Sequence, residues 1–143
     1  MSGFLLCISG CRAPDIRPPD PTLNEANSAT LEIYRPTALA KFATDYRVYL
    51  NEEYIGLLRN GGEIIRRVSP GKKQLKFRPY ELGIPGFGTH EATIEAVTGF
   101  RYYVRMDSEV DELIPAGNMV YGVTSTNIRV VKRPIGDRSR GER

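Results

Sequence analysis

The chain has 143 residues, of which 41% are hydrophobic and 26% charged, a composition that indicates a folded globular domain and excludes a disordered chain. The formal net charge is only +3, from 20 basic and 17 acidic residues spread along the sequence, so we predict no nucleic-acid partner. A chain of this length has room for one domain around one hydrophobic core.

The amino terminus is a short apolar run that ends in a cysteine. Residues 1–10, MSGFLLCISG, are too few to span a bilayer, which takes about 20 apolar residues, but they suit the apolar part of a secretory signal peptide. Ile8-Ser9-Gly10-Cys11 resembles the bacterial lipobox, and the resemblance implies lipidation at Cys11. No Lys or Arg precedes the run, so we expect the natural start further upstream. The alternative is an ordinary first strand in which both cysteines are buried.

Residues 11–28 are predicted to form an extended tether, because prolines stand at positions 14, 18, 19 and 21. Acyl chains on Cys11 would hold the protein on a membrane essentially permanently. Arg12 stands where an aspartate acts as an inner-membrane retention signal in some bacteria. We therefore expect the bacterial cell envelope, on the periplasmic face and preferably at the outer membrane. No cysteine follows Cys11, so no disulfide crosslinks the domain.

From Ala29 onward, apolar and polar residues alternate with the period of two that predicts β-strands. The first strand is predicted over 29–35, and residues 37–44 form a short helical turn or a loop that crosses the sandwich. Residues 45–50 and 54–59 predict a hairpin around Asn51-Glu52. Its register places Val48 opposite Ile55 and Tyr46 opposite Leu57, so that apolar residues match.

The middle of the sequence predicts two further strands. Asn60-Gly61 is a turn signal that leads into a strand over 63–68, and Pro70-Gly71 marks the next reversal. The strand over 72–78 has Leu75 and Phe77 directed inward. A loop with three glycines and two prolines follows over 79–89 and is the longest candidate for a functional surface.

The last third predicts a hairpin of residues 90–97 and 101–106, with Glu95 outward between Arg101 and Arg105. An acidic and less regular stretch over 107–118 comes next. A final strand region over 119–132 closes the sheet, and residues 134–143 are a disordered polar tail.

Seven or eight short, mostly antiparallel strands without a long helical pattern predict an all-β protein, a single β-sandwich over 29–133. The ordered segments ATLEIYRP, YRVYL with IGLLRNGG, SPGKK and GFRYYVR resemble an uncharacterised family of bacterial lipoproteins with transthyretin-like or PEGA-type sandwiches. The resemblance implies a fold and a location in the cell envelope, but it implies no activity. The sequence departs from it at two places: Asn51-Glu52 replaces the usual Asp-Gly, and Lys73 stands where histidine is common.

The sequence contains no set of catalytic residues, and we predict neither an enzyme nor a cofactor. His90 is the only histidine, so a catalytic triad or a metal site must be built around it alone. An exposed histidine at a strand edge is the blander interpretation. Tyr80, Phe87 and His90, on and beside the 79–89 loop, are the candidate ligand-binding residues.

Three further surface patterns each have a functional and a structural interpretation. Asp107, Glu109, Asp111 and Glu112 carry the hard oxygens that Ca²⁺ prefers, but their spacing favours a solvated acidic loop. Outward tyrosines at 34, 49 and 103 suit stacking on sugar rings or simple half-burial. A basic stripe would serve anionic lipid or cell-wall acids unless its members are paired strand to strand; it consists of Lys76, Arg78, Arg101, Arg105 and Arg129.

The function predicted from the sequence is that of a membrane-anchored envelope lipoprotein whose non-catalytic β-sandwich contacts another envelope protein or the cell wall. The alternative is a carbohydrate- or peptidoglycan-binding module that uses residues 79–90.

Overall fold

The computed structural model describes residues 14–41, 43–81, 84–86 and 88–137, with the backbone alone over 120–123. Cys11 and Phe87 lie outside the described residues, as does the predicted signal segment. In the described part the chain forms nine strands and no helix, so no helix there could cross a membrane. The strands are β1 (Ala29–Tyr34), β2 (Thr44–Leu50), β3 (Glu53–Leu58), β4 (Glu63–Val68), β5 (Gly71–Glu81), β6 (Ile84–Pro85), β7 (His90–Ala96), β8 (Phe100–Ala116) and β9 (Met119–Pro134).

The strands form two sheets that pack face to face, which confirms the predicted all-β sandwich. The first sheet has the order β4-β1-β8-β9, and the second has β3-β2-β5 with β6 and β7 both paired to the remaining edge of β5. The pair β1–β8 is parallel and every other pair is antiparallel.

The core lies between the two sheets and is built from alternate residues of the strands. Residues at odd positions of β1 and even positions of β8 supply it from the first sheet, and Leu75 and Phe77 are fully buried as predicted. The buried apolar cluster consists of Ala29, Leu31, Ile33, Tyr46, Val48, Ile55, Leu58, Val68, Leu75, Phe77, Ile94, Ala96, Tyr102, Val104 and Met106.

The β2–β3 hairpin turns at Asn51 and Glu52, whose φ angles of 47° and 68° are left-handed. Leu50 pairs with Glu53 as predicted, but a bulge after Val48 shifts the rest of the register by one residue. The predicted partners of Val48 and Tyr46 are therefore wrong: the structure places Gly56 and Leu58 there. The extra residue lets Ile55 enter the core while Tyr54 pairs with Tyr49.

The predicted hairpin of residues 90–97 and 101–106 is wrong, because β7 and β8 belong to different sheets. The chain crosses between the sheets at Gly99, whose φ is 83° and whose amide donates to the carbonyl of Ser28 at 3.1 Å. Glu95 consequently faces Lys72 of β5 and does not lie between two arginines. The prediction failed because the alternation of apolar and polar residues shows only which side chains face the core. It does not show whether two consecutive strands belong to one sheet or to facing sheets.

The acidic stretch over 107–118 is not irregular, because β8 and β9 pair as far as Ala116 and Met119. A bulge at Asp111 is the one interruption recorded in this ladder. We call residues 109–125 the ribbon, since they extend β8 and β9 past the sandwich. Every residue from Glu109 to Met119 is exposed.

Residues 14–28 form turns but no strand, and all but Leu23 and Ser28 are exposed. They do not hang free of the sandwich: the amide of Arg17 donates to the carbonyl of Tyr54 at 2.8 Å, and its guanidinium pairs with Glu53. At the other terminus, the amide of Ile135 donates to the carbonyl of Gly99 at 2.8 Å. Both termini of the described chain thus meet one end of the sandwich.

Candidate functional site

The structure separates the residues predicted to bind a ligand. Tyr80 lies near the end of β5 on the outer face of the second sheet, whereas His90 pairs with Phe77 and faces the interior. The predicted 79–89 loop is only partly a loop, because residues 79–81 end β5 and β6 pairs back onto Tyr80 and Glu81. Tyr80 and His90 therefore do not share one surface.

The outer face of the second sheet carries a cluster that we call the tyrosine–arginine face: Arg47, Tyr49, Tyr54, Arg78 and Tyr80. The rings of Tyr49 and Tyr54 are 5.5 Å apart, and the Arg78 guanidinium lies 5.0 Å from the Tyr49 centroid. Arg47 lies 4.0 Å from the Tyr80 centroid and donates to its hydroxyl at 3.2 Å. Rings held by guanidinium groups can stack on a sugar or a planar anion.

The sequence predicted Tyr49 as an outward tyrosine and Tyr80 as a candidate ligand-binding residue, but it did not predict that Tyr54 joins them. Tyr54 lies beside Tyr49 because of the bulge in β3. The only sign of this bulge in the sequence is Gly56 next to an apolar residue. Burial raises the pKa of the Tyr54 hydroxyl above its ordinary value.

The predicted basic stripe is divided between opposite sides of the molecule. Lys76 and Arg78 lie on the second sheet, where Lys76 pairs with Glu52. The three arginines at 101, 105 and 129 lie on the outer face of the first sheet, with Tyr34 and Tyr103. Arg101 contacts the buried carboxylate of Glu32 at 3.5 Å.

Directly opposed arginines occur twice on this face, on either side of the Tyr103–Val131 pair. Arg101 is paired with Arg133, and Arg105 with Arg129. Arg105 binds Asp107 at 2.7 Å, and this hydrogen bond raises the pKa of its guanidinium. Like charges in cross-strand pairs destabilise a sheet, so the arrangement suits an anionic partner.

The acidic residues predicted as a possible calcium site follow on β8. Asp107 is engaged by Arg105, and Asp111 accepts a hydrogen bond from Ser125 at 3.0 Å. In the described chain no three His, Cys, Asp or Glu side chains are grouped as metal ligands. The exposed apolar residues Val110, Leu113, Ile114 and Met119 surround the acidic positions.

The interior at the ribbon end of the sandwich is cationic. Arg35 is 1% exposed and donates to the carbonyls of Thr44 and Lys41, the latter at 2.6 Å. Its guanidinium also lies 5.1 Å from the ring of Tyr46, and burial lowers its pKa. It thereby fixes the connection between β1 and β2. Over residues 37–41 and 43, this connection is the predicted loop that crosses the sandwich and not the alternative helical turn.

His90 belongs to the same interior group. Its ring lies 6.1 Å from that of Tyr46, and burial and the charge of Lys41 lower its pKa. Lys41 donates to Thr126 at 3.1 Å, and the Tyr46 hydroxyl is 3.3 Å from the same oxygen. These contacts join the two sheets, which gives His90 a structural setting and not the exposed edge position of the blander interpretation.

Comparison with protein-family models, with curated proteins and with solved structures finds no match for this chain. The resemblance to a family of bacterial lipoproteins therefore stays a prediction from the sequence.

Proposed function

We propose that the chain is a non-catalytic contact domain, tethered to the bacterial envelope by lipid on Cys11, and that the ribbon is the surface that reaches its partner. The observation that carries this proposal is the placement of the tether and the ribbon at opposite ends of the sandwich.

The tether end is defined by three backbone contacts. Ser28 lies beside Gly99 at the start of β8, Ile135 returns to the same glycine, and Arg17 is bonded to Tyr54. Five residues lie between Cys11 and Arg17, and the six steps of an extended chain from one to the other span about 20 Å. A lipid on Cys11 would thus keep this end close to the membrane.

The ribbon extends in the opposite direction. β8 has 17 residues, which at about 3.4 Å each place the ribbon tip roughly 55 Å from the tether end. A two-stranded ribbon is only marginally stable alone in water, and this one exposes Leu113 at 65% and Met119 at 59%. Exposed apolar side chains on such an extension are best explained by a partner that covers them.

The proposed lipid attachment and membrane location are tested by palmitate labelling and membrane fractionation of the protein expressed from its natural start. We expect label and membrane association that a Cys11→Ala variant loses. An unlabelled wild-type chain in the soluble fraction would contradict the proposed location in the cell envelope.

The contact surface is tested in cells with a photocrosslinking residue at Ile114 in the ribbon. A matched control carries it at Ile84, which is more exposed but lies on the second sheet. We expect a discrete adduct from position 114 alone. Equal adducts from both positions, or none, would contradict the assignment of the ribbon.

A second candidate function is carbohydrate or peptidoglycan binding, favoured by the tyrosine–arginine face. Retention on purified sacculi should then fall severalfold in Tyr49→Ala and Tyr80→Ala. Tyr103→Ala, which removes a half-exposed ring from the other sheet, is the control and should leave retention unchanged.

A further inference from the structure

The outer face of β8 and β9 changes its character in steps along its length. The opposed arginine pairs come first, the Asp107–Asn127 pair follows, and Glu109 faces Ser125 next. Glu112 follows on this face because the bulge at Asp111 restores the alternation. No Lys or Arg stands anywhere between residues 107 and 127.

The charges on the two halves are only partly neutralised within one chain. Arg101 and Arg105 have carboxylate partners in Glu32 and Asp107. Among the described residues, Arg129 forms no ion pair, and neither do Glu109 and Glu112. Positive and negative groups of one face are thus left available to groups outside the chain.

A face that is positive in one half and negative in the other is complementary to itself under a two-fold rotation. A two-fold axis that lies in the plane of the interface and crosses the strands at the Asp107–Asn127 pair would place two copies face to face with their strands antiparallel. Residues equally distant from position 107 then lie opposite each other. Glu109 of each copy would meet the Arg105–Arg129 pair of the other, and Glu112, the next residue on this face after the bulge, would meet Tyr103.

We propose that the partner of the ribbon is a second copy of this chain, bound through the outer face of β8 and β9 about such an axis. This inference rests on the proposed function, because it names the partner of the same ribbon. Exposed Ile114 and Met119 would be covered at the far end of the partner's face. The two tethers would lie at opposite ends of the dimer.

The size of the contact sets the expected affinity. A strip about 50 Å long and about 10 Å wide buries roughly 500 Å² on each copy, near the lower limit for a specific interface. A weak dimer with a dissociation constant in the micromolar range is therefore expected in solution.

The test is sedimentation equilibrium of the full-length chain with Cys11→Ala, which prevents lipidation, between about 5 and 200 µM. We expect a monomer–dimer equilibrium that weakens at high salt. Arg129→Glu and Glu109→Arg should each weaken it at least about tenfold, because each places like charges at both symmetric contacts. Arg78→Glu and Glu95→Arg, exposed positions on the second sheet with the same charge changes, are controls without effect.

Mixing gives the sharpest outcome. Arg129→Glu and Glu109→Arg chains in equal amounts should form a heterodimer whose affinity approaches the wild-type value, since both contacts between positions 109 and 129 across the axis again join opposite charges. A monomer at 200 µM, or a dimer that no variant weakens, would overturn the inference.

The crosslink at Ile114 separates this inference from the function on which it rests. An adduct of twice the chain mass of 16.0 kDa supports both. An adduct with a different protein overturns the second-copy assignment and leaves the contact function standing, and the absence of any adduct contradicts both.

Discussion

The hydroxyl of Tyr102 accepts a hydrogen bond from the amide of Val97 at 3.0 Å and donates one to the carbonyl of Glu95 at 2.8 Å. Tyr102 belongs to β8 of the first sheet, whereas the two backbone groups lie at the end of β7 in the second. One side chain thus holds the point at which the chain passes from one sheet to the other. The ring itself is 4% exposed and packs in the core.

Tyr102→Phe should therefore destabilise the fold by about 1–3 kcal/mol, because it leaves two backbone groups without a partner while keeping the ring. Urea denaturation followed by circular dichroism measures the change. Tyr103→Phe, one residue away and on the outer face, should lie within about 0.5 kcal/mol of wild type. Equal effects of the two substitutions would show that the hydroxyl bonds to β7 are unimportant.

Arg35→Met should lower the free energy of unfolding by about 1–3 kcal/mol. The methionine retains much of the volume but loses the bonds to the carbonyls of Thr44 and Lys41, and such bonds from a charged donor are strong. Chemical denaturation gives the free energy, and Arg59→Met, at an exposed position, is the matched control. If the variant is as stable as the control, the free energy recovered by no longer burying the charge of Arg35 offsets the loss of both hydrogen bonds.

Glu52→Gly should stabilise the protein by about 0.5–1 kcal/mol. Glu52 has a φ of 68°, a conformation that costs a residue with a Cβ about 1 kcal/mol or more and that glycine adopts freely. The lost ion pair with Lys76 is exposed on the Glu52 side and contributes less. Glu53→Gly, at an extended strand position, should instead be destabilising. A loss of stability in both variants would contradict the argument from φ.

The folded protein should lose stability as the pH falls from 7.5 to 5.5. Burial and Lys41 hold the pKa of His90 below its ordinary value of 6.5, so the unfolded chain takes up a proton in this range that the folded chain does not. Stability is thus fully present above pH 6.5 and declines as the pH falls below it. Thermal melting at pH 7.5, 6.5 and 5.5 measures the decline, and His90→Gln should flatten it. An unchanged slope in that variant would assign the effect to other groups.

The sequence predicted strands far better than it predicted their partners. Alternation located the interior residues Leu75, Phe77, Val104 and Met106 correctly, because burial of one face imposes the same period on any half-buried strand. It did not separate β7 from β8, since short turns join strands within a sheet and between sheets alike. The neighbours that form a surface depend on that choice.

The candidate surfaces illustrate this limit. Tyr80 and His90 are close along the chain, yet opposite faces of the sheet separate them. The arginine pairs of β8 and β9 were not predicted because the sequence predicted an irregular segment for the acidic stretch over 107–118. In the structure this stretch continues the pairing of β8 with β9 as far as Ala116. Charged residues do not prevent pairing in a ribbon that is exposed on both faces.

The position of β1 affects how the molecule folds. This first strand lies between β4 and β8, and its parallel partners, such as Thr30 and Arg101, are about 70 residues apart in sequence. A growing chain can form the β2–β3 hairpin early, but one edge of β1 stays unpaired until residue 105 has been synthesised. Closing so long a segment costs entropy before any core contact compensates for it, so refolding in milliseconds to seconds is expected in place of microseconds. During that interval the exposed edge of β1 is the part of the chain most open to pairing with another molecule.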